Sequence, residues 1–342
     1  MKTLVFFNNK GGVGKTTLTC NVVSYLNLHK GKRVLLIDAD PQCNASQLML
    51  ADDVIESLYL SKKVKSPTTL YTHLRPLEQG DAAVSSTLRP ILASQNAFAT
   101  DLIPCHPNMA LIEDRLSQAW ADLRGGDEIR GYRISNWVSQ LLEKSAAKYD
   151  LVVFDVGPSL GAINRTILLS SDFVITPFGS DIFSLVGIQN IASWMEAWQR
   201  EYARALQFLK ERHADAIAEY PGVSEASRKT RLAGYSVQQY VTKTFKTGRR
   251  PVKAYDDIMK MIPSTVVENL SSYFPTGLNE PDLVLGHIPF LYSLVPLAQA
   301  NRSPIHRLGD TKKLTGAQVR QVADYSGLMD RFCDRLLANV GI

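Results

Sequence analysis

Cysteine is scarce in this sequence, and the few cysteines present form no recognisable site. They are scattered through the 342 residues, and no two of them stand as a C-x-x-C pair. A zinc site or a disulfide framework needs paired or closely spaced cysteines, so neither is expected and the thiols are expected to be reduced. An iron–sulfur scaffold is disfavoured for the same reason. The cysteines are Cys20, Cys43, Cys105 and Cys333.

Long hydrophobic runs are also missing. No apolar stretch approaches the roughly 20 residues that cross a bilayer, and the first run, Leu4 to Phe7, is too short for a signal peptide. In Val322–Val340 apolar residues recur at helical spacing, but aspartates stand where a membrane-surface helix carries Lys and Arg. This segment is interpreted as a helix packed on the core. No stable membrane insertion is expected, and the predicted location is the cytoplasm.

Neither sign of charge dominates the chain. The 38 Lys and Arg against 33 Asp and Glu give a net charge of +5, which by itself does not indicate a nucleic-acid partner. The 45% apolar and 21% charged residues are typical of a soluble globular protein. The sequence shows no internal repeat, and its length allows one large domain or two ordinary ones.

Strand and helix signals alternate along the chain. Continuous apolar runs such as Val34–Ile37 and Leu151–Phe154 are typical of strands buried on both faces, as in a parallel sheet. We therefore predict an α/β fold, a mostly parallel twisted sheet flanked by helices. Strands are predicted at Thr3–Phe7, Arg33–Asp38, Asp101–Pro104, Leu151–Asp155, Phe173–Pro177, Gly234–Gln238 and Leu283–Ile288. Helices are predicted at Lys15–Leu28, Met109–Leu123, Ile134–Lys148 and Leu185–Arg212, and loops at Ser61–Pro67, Arg124–Gly131 and Ser272–Pro281.

One segment is longer than a plain crossover between two strands requires. Residues 199–281 approximately are interpreted as an insertion, partly of extra helices and carrying a basic stretch. The insertion is expected to lie within a single domain that covers residues 1–342.

The sharpest motif lies between the first predicted strand and the first predicted helix. Glycines 11, 12 and 14 allow the backbone to turn its N–H groups toward phosphate oxygens, and the helix N-terminus adds a positive dipole end there. Lys15 is then placed to contact the β- and γ-phosphates, and the Thr16 hydroxyl to bind Mg²⁺. The motif predicts a site for ATP and Mg²⁺. Its residues are Lys10, Gly11, Gly12, Val13, Gly14, Lys15, Thr16 and Thr17.

This loop departs from the strict pattern G-x-x-x-x-G-K-[ST]. Asn9 stands at the first glycine, and a second lysine, Lys10, lies inside the loop. In this form the loop resembles the deviant Walker A motif of the ParA/MinD family of ATPases. The resemblance implies a P-loop ATPase that forms a homodimer around ATP, in which Lys10 reaches the partner's nucleotide. Lys10, Lys15 and Asp40 are the expected catalytic residues.

Two further segments resemble the carboxylate motifs of that family. Residues 38–44 match its D-x-D-P-Q-x-N signature, and the apolar strand ending in Asp155 matches the Walker B arrangement. The resemblance implies that Asp38 and Asp155 hold Mg²⁺, directly or through water, together with Thr16. It also implies that Asp40 orients or activates the attacking water.

The loop after the second carboxylate differs from the family's pattern. Residues 155–161 resemble D-x-P-P-S-L-G, but Gly157 replaces the first proline, which restores a backbone N–H donor. Two readings stay open: a more mobile loop, or a Gly157 N–H that senses the γ-phosphate. The residues of the two predicted switch segments are Asp40, Pro41, Asn44, Gly157 and Pro158.

The resemblance continues toward the C-terminus. Leu285–Pro289 and the later Ser303–Ile305 are similar to the family's closing segment, which implies that Pro289 packs against adenine. A proline that simply ends a strand is an equally open interpretation.

A basic stretch occupies residues 228–253. It holds eight Lys and Arg, no Asp or Glu, and three interleaved aromatics. Such a stretch can neutralise DNA phosphates without reading the sequence, as ATP-bound ParA relatives do. The alternative is a solvated basic face. The DNA contacts are expected at Lys243, Lys246, Arg249, Arg250 and Lys253.

These features favour a ParA-like ATPase switch with slow hydrolysis that an adaptor protein stimulates. Its ATP dimer is expected to bind non-specific DNA and to serve DNA segregation or cargo positioning, with association with the nucleoid as a consequence. The alternative is a regulatory or scaffold ATPase without DNA binding. It would time the assembly of a multiprotein or membrane-associated complex, including one in phage defence.

Overall fold

The computed structural model of the chain describes residues 1–60, 69–85, 87–125, 129–143, 147–225, 228–240, 242–245, 248–251, 253–311 and 313–342. For residues 239, 240, 242–245, 248–251, 253–255 and 311 the backbone alone is described. The elements in chain order are β1 (Lys2–Phe6), α1 (Lys15–Lys30), β2 (Val34–Asp38), α2 (Asn44–Met49), α3 (Asp52–Tyr59), α4 (Leu70–Glu78), β3 (Asp101–Ile103), α5 (Met109–Gly125), α6 (Ile129–Ser135), α7 (Trp137–Leu142), β4 (Leu151–Asp155), α8 (Ala162–Ser170), β5 (Phe173–Gly179), α9 (Ile182–Glu219), β6 (Arg231–Tyr240), β7 (Thr242–Phe245), β8 (Gly248–Pro251), α10 (Lys253–Leu270), α11 (Glu280–Leu283), β9 (Val284–Pro289), α12 (Leu294–Ala300), α13 (Leu308–Thr311) and α14 (Gly316–Val340).

One parallel sheet organises the described residues. Its seven strands lie in the order β3-β2-β4-β1-β5-β6-β9, and every neighbouring pair is parallel. The predicted α/β class and all seven predicted strands are thus confirmed. β1 lies at the centre of the sheet. The strands β2, β3 and β4 lie on one side of it, and the later strands β5, β6 and β9 lie on the other side. Such a switch point is where open α/β sheets bind ligands, beyond the carboxyl ends of the strands.

Helices cover both faces of the sheet because the strand residues point alternately to either side. Val5 and Phe7 belong to the core beneath α5, α8, α9 and α10, whereas Leu4 and Phe6 belong to the core beneath α1 and α14. Several apolar residues of α14, including Met329, Phe332 and Leu336, are fully buried in this second core. The prediction that the last helix packs on the core is confirmed. No helix in the described part of the chain is both long and apolar enough to cross a membrane.

The predicted helix Ile134–Lys148 is wrong in its bounds. The structure has two short helices, α6 and α7, separated at Asn136, whose φ of −103° and ψ of 26° are not helical. The Asn136 side chain explains the break, because its amide donates to Tyr132 O and Tyr202 Oη, and its carbonyl accepts from Val223 N at 2.8 Å. Because the Asn136 side chain makes these buried hydrogen bonds, α6 and α7 do not join into one continuous helix.

The loop predicted at Arg124–Gly131 is also largely wrong, since α5 extends to Gly125 and α6 begins at Ile129; residues 126–128 lie outside the described residues. Gly131 lies within α6. Glycine is needed there because α5 passes so close that a Cβ would lie 2.6 Å from Leu123 N. The loop predicted at Ser61–Pro67 lies outside the described residues. In Ser272–Pro281 the chain makes a 3-10 turn and then enters α11.

The segment 199–281 is not made of extra helices alone. It contains the end of α9, the strand β6 that pairs between β5 and β9, the antiparallel hairpin β7–β8, and α10. β6 is therefore part of the main sheet. The helix predicted at Leu185–Arg212 is confirmed as part of α9, whose helical geometry is interrupted at His213.

Candidate functional site

The glycine-rich loop joins the carboxyl end of the central strand β1 to the N-terminus of α1. Gly12 and Gly14 adopt φ angles of 75° and 81°, in the left-handed region that glycine tolerates best. Asn8 holds the loop in place: its side-chain amide donates to Pro177 O on β5 at 2.6 Å, and its side-chain oxygen accepts from Lys10 N at 2.9 Å. The loop is thereby attached to the sheet on which it stands.

A cavity of about 520 Å³ lies directly over this loop. It brings together the predicted loop residues 10–17 with the predicted switch residues Asp40, Asn44 and Pro158. Four further lining residues were not among the predicted site residues: Gln42, which lies within the D-x-D-P-Q-x-N signature, and Gln47, Leu48 and Gln299. The volume and the polar lining suit a nucleotide phosphate chain.

Lys15, Thr16 and Asp155 form one buried network at the bottom of the cavity. Lys15 Nζ lies 2.8 Å from Asp155 Oδ1, and the Thr16 hydroxyl donates to Asp155 Oδ2 at 2.7 Å. Asp155 is fully buried and Lys15 is only 7% exposed. The predicted phosphate-binding lysine, Mg²⁺-binding hydroxyl and Walker B carboxylate are therefore in mutual contact.

Asp38 stands beside this network, because the register of β2 and β4 pairs it with Asp155. Its Oδ2 accepts from both the backbone N–H of Ser46, at 2.8 Å, and the Ser46 hydroxyl. Burial and the neighbouring Asp155 carboxylate raise the pKa of Asp38 to about 7. Ser46 was not predicted, since nothing in its sequence context marks it.

The carboxylates of Asp38 and Asp155 and the Thr16 hydroxyl are suitable ligands for a magnesium ion. Two buried carboxylates side by side repel each other, and a divalent cation next to them and the Thr16 hydroxyl relieves that repulsion. Within the described residues, no group of three or more His, Cys, Asp or Glu could hold a metal by itself. A set this small suits Mg²⁺, which usually takes one or two protein ligands and completes its shell with water and phosphate oxygens.

Asp40, on the loop after β2, is buried and lines the cavity. Its carboxylate accepts from Gln42 N at 3.0 Å and from the Asn44 amide at 3.4 Å. The other switch loop touches it at Gly157, where a Cβ would lie 3.1 Å from Asp40 Oδ1. Gly157 stands where the family has a proline. Its lack of a side chain leaves room for the Asp40 carboxylate to pack against the backbone of the second switch loop.

Lys10 forms an ion pair with Asp181, which directly precedes α9. Its ammonium also lies 5.9 Å from the centroid of the Phe183 ring, and Phe183 is 72% exposed. Asp181 was not predicted, because 171 residues separate it from Lys10 in the chain. The predicted contact of Lys10 with a partner's nucleotide stays a prediction.

A smaller cavity of about 240 Å³ adjoins the helix end of the glycine-rich loop. It shares Gly14 and Thr17 with the loop. Its walls are mostly apolar and include the predicted Pro289. The lining residues that sequence reasoning missed include Gln238, Phe290, Tyr292 and Tyr325.

The basic stretch is only partly described. Lys243, Arg249 and Arg250 fall in the hairpin β7–β8, and Lys253 is the first residue of α10; Lys246 lies outside the described residues. The hairpin follows the carboxyl end of β6, so the chain enters it at the edge of the sheet that carries the cavity.

A family model described as an AAA domain matches residues 1–208. A virulence plasmid ParA family protein of Chlamydia psittaci, pGP5-D, is 30% identical over 191 residues, or 56% of this chain. The match takes in 62% of that protein, so the chain spans less than two thirds of its length.

Solved structures match over more of the chain. The crystal structure of protein DIP2308 from Corynebacterium diphtheriae is 33% identical, with a TM-score of 0.70, and the match covers 90% of this chain and 98% of that one. The structure of pNOB8 ParA bound to nonspecific DNA is 17% identical, with a TM-score of 0.56 and coverage of 99% and 98%. At that identity the second match shows a common fold only.

Proposed function

The chain belongs to the ParA/MinD family of P-loop ATPases, and on that premise we propose that it is an ATP-dependent dimerisation switch that binds non-specific DNA in its ATP state. The observation that carries the proposal is the contact of Lys15, Thr16 and Asp155 under a cavity of about 520 Å³. We take the chain as a single domain, in which residues 199–281 are an addition to the family's framework except for β6, which belongs to the main sheet.

Nucleotide binding follows from the charges in the cavity. Lys15 would exchange its contact with Asp155 for the β- and γ-phosphates, while the backbone N–H groups of residues 11–14 bind phosphate oxygens. Thr16, Asp38 and Asp155 would hold Mg²⁺, which supplies positive charge to the phosphate oxygens. Asp40 would orient or activate the attacking water. Without a further cation in place, hydrolysis by such a site is slow, which leaves room for an adaptor protein that stimulates it.

Dimerisation is supported by the surface around the cavity. Seven large apolar side chains are exposed on segments that follow the carboxyl ends of the parallel strands. Exposed apolar groups beside a binding cavity suit an interaction surface, and the Lys10 ammonium lies 5.9 Å from the ring centroid of one of them, Phe183. On ATP binding, Lys10 would leave Asp181 for the partner's nucleotide. The seven are Leu111, Leu160, Ile182, Phe183, Val186, Phe290 and Tyr292.

The smaller apolar cavity is proposed as the adenine site. Pro289 lines it, as the family resemblance implies, and Phe290 and Tyr292 lie at its edge with ring centroids 5.0 Å apart. A flat base can stack on such rings. Gln238 is the polar side chain placed to bond its edge, and it is only 4% exposed.

Binding to random-sequence duplex DNA, followed by fluorescence anisotropy at low salt, tests the proposal. The protein with ATP and Mg²⁺ is expected to bind, whereas with ADP it is expected to bind at least tenfold more weakly, because only the dimer presents two basic stretches together. Affinity should fall steeply with salt, by about one unit of slope for each phosphate contact. Absence of ATP-dependent binding at low salt would favour the scaffold alternative.

A variant in which Lys243, Lys246, Arg249 and Arg250 are changed to alanine localises the contact. It is expected to lose most of the affinity for DNA and to flatten the salt dependence by about one unit per lost contact. A matched control changes the exposed Arg320 and Arg331 of α14 to alanine, which should leave both quantities unchanged. Equal losses in the two variants would show a general charge effect rather than a site.

A further inference from the structure

The helix α8, which follows the second switch loop, has no cap of its own. Its N-cap residue is Gly161, and no side chain of the loop bonds the first N–H groups of the helix. Unbonded N–H groups at a helix N-terminus are costly when they are shielded from water, so another group must satisfy them.

That group is Glu113, from a different helix. The Glu113 carboxylate, on α5, accepts from the backbone N–H of Ala162 and from that of Ile163, the second at 3.1 Å. The negative charge also lies at the positive end of the α8 dipole. Glu113, 49 residues away in the sequence, therefore supplies the capping bonds that a Ser, Asp or Asn side chain at the N-cap position usually makes.

Gly161 makes this contact possible. Its φ of −70° and ψ of 177° are open to any residue, so backbone strain does not require glycine there. The position of Glu113 requires glycine, because a Cβ at residue 161 would lie 2.7 Å from Glu113 Cδ and overlap the carboxylate. Glu113 and Gly161 form a matched pair across the two helices.

The pair anchors the loop that meets Asp40. Residues 156–161 run from the buried Asp155 to the capped start of α8, and Asn164 of α8 donates to the carbonyls of Gly157 and Ser159, both at 2.7 Å. Gly157 in turn lies against the Asp40 carboxylate. A groove of about 480 Å³ places Glu113 beside Asp40, Gly157 and Pro158. Release of the cap would free the far end of this loop and loosen Gly157 next to Asp40.

We propose that Glu113 is a positioning residue for ATP hydrolysis, which holds the second switch loop against Asp40 by capping α8 from α5. The proposal rests on the proposed ATPase function, since it concerns the same site. Glu113 itself touches neither the phosphate loop nor the Mg²⁺ carboxylates. It therefore acts on the catalytic step through the loop and leaves nucleotide affinity nearly unchanged.

Glu113→Ala is the direct test, because it removes the carboxylate that accepts from the N–H groups of Ala162 and Ile163, whereas a glutamine would keep one accepting oxygen. Steady-state hydrolysis is expected to show kcat lowered about tenfold, the factor by which loss of a helix cap shifts a local equilibrium, with KM for ATP within twofold of the parent. Hydrogen exchange of the peptide 157–165 should become faster, which reports the loop directly. Asp114→Ala removes the carboxylate of the exposed neighbour on α5 and should change neither reading.

Gly161→Ala extends the test without altering Glu113. Its added methyl group displaces the carboxylate, so this variant should reproduce the lowered kcat and the faster exchange. In a Glu113→Ala background the clash is absent, and Gly161→Ala should then have little further effect. Additive losses in the double variant, or a KM that rises together with the fall in kcat, would overturn the positioning role. If the parent protein hydrolysed no ATP, the exchange readings would still decide whether Glu113 holds the loop.

Discussion

Changing Lys15 to alanine is expected to weaken ATP–Mg²⁺ binding at least 100-fold in calorimetry, about 2.8 kcal/mol. Among the described residues, Lys15 is the cation that pairs with the Walker B carboxylate Asp155, and it is almost fully buried. A phosphate chain bound there loses a charge-assisted hydrogen bond in a site shielded from water. The change also leaves the buried carboxylate without a counter-charge, so phosphate and carboxylate repel each other.

The same uncompensated charge threatens the fold. Removing one member of a buried ion pair costs about 3–5 kcal/mol of stability, so circular dichroism must accompany the calorimetry. The double variant Lys15→Ala with Asp155→Asn removes the unpaired charge. It is expected to regain stability and still not to bind, whereas Lys32→Ala, outside the cavity, should bind as the parent does. Tight ATP binding by a folded Lys15→Ala variant would contradict the phosphate-binding role.

Changing Asp40 to alanine is expected to lower the rate of ATP hydrolysis at least 100-fold while ATP affinity stays within about threefold. A positioned general base or water-orienting group typically contributes a factor of about 100 to 10,000. Asp40 lines the cavity, and its carboxylate is oriented by Gln42, Asn44 and the bare backbone of Gly157. Asp40 makes no bond to Lys15, Thr16 or Asp155 among the described contacts, so binding should survive its loss.

The Asp40→Ala protein should therefore accumulate as the ATP dimer, which a phosphate-release assay and a sedimentation measurement together detect. Asp53→Ala, on the exposed start of α3, is the matched control and should hydrolyse ATP at the parent rate. Hydrolysis at the parent rate by Asp40→Ala itself would remove Asp40 from the mechanism.

The sequence predicts most of the sheet and the floor of the site because both depend on local patterns. Strands buried on both faces read as apolar runs, and β1, β2 and β4 are of this kind. The phosphate loop needs its glycines and lysine at fixed spacing next to a strand, so the sequence alone predicts that Lys15 and Thr16 lie in the phosphate site. Asp155 follows from the same logic, since it ends an apolar strand.

The features that were missed depend on contacts between distant parts of the chain. Asn136 resembles an ordinary helical residue until Tyr202 and Val223 meet its side chain. Gly131 reads as a loop glycine, although close packing of α5 requires it within a helix. Ser46, Asp181 and Glu113 act on groups that the fold brings to them, and no spacing rule links them to their partners.

The central claim is that ATP joins two copies of the chain through Lys10. The most direct test is the molar mass in solution, by light scattering, of the Asp40→Ala protein and of Lys10→Ala in that background. With ATP and Mg²⁺ the first should show twice the chain mass of 37.9 kDa and with ADP the single mass. The Lys10→Ala form should bind ATP yet stay at the single mass. A dimer formed equally well without Lys10, or no dimer in any nucleotide state, would contradict the account.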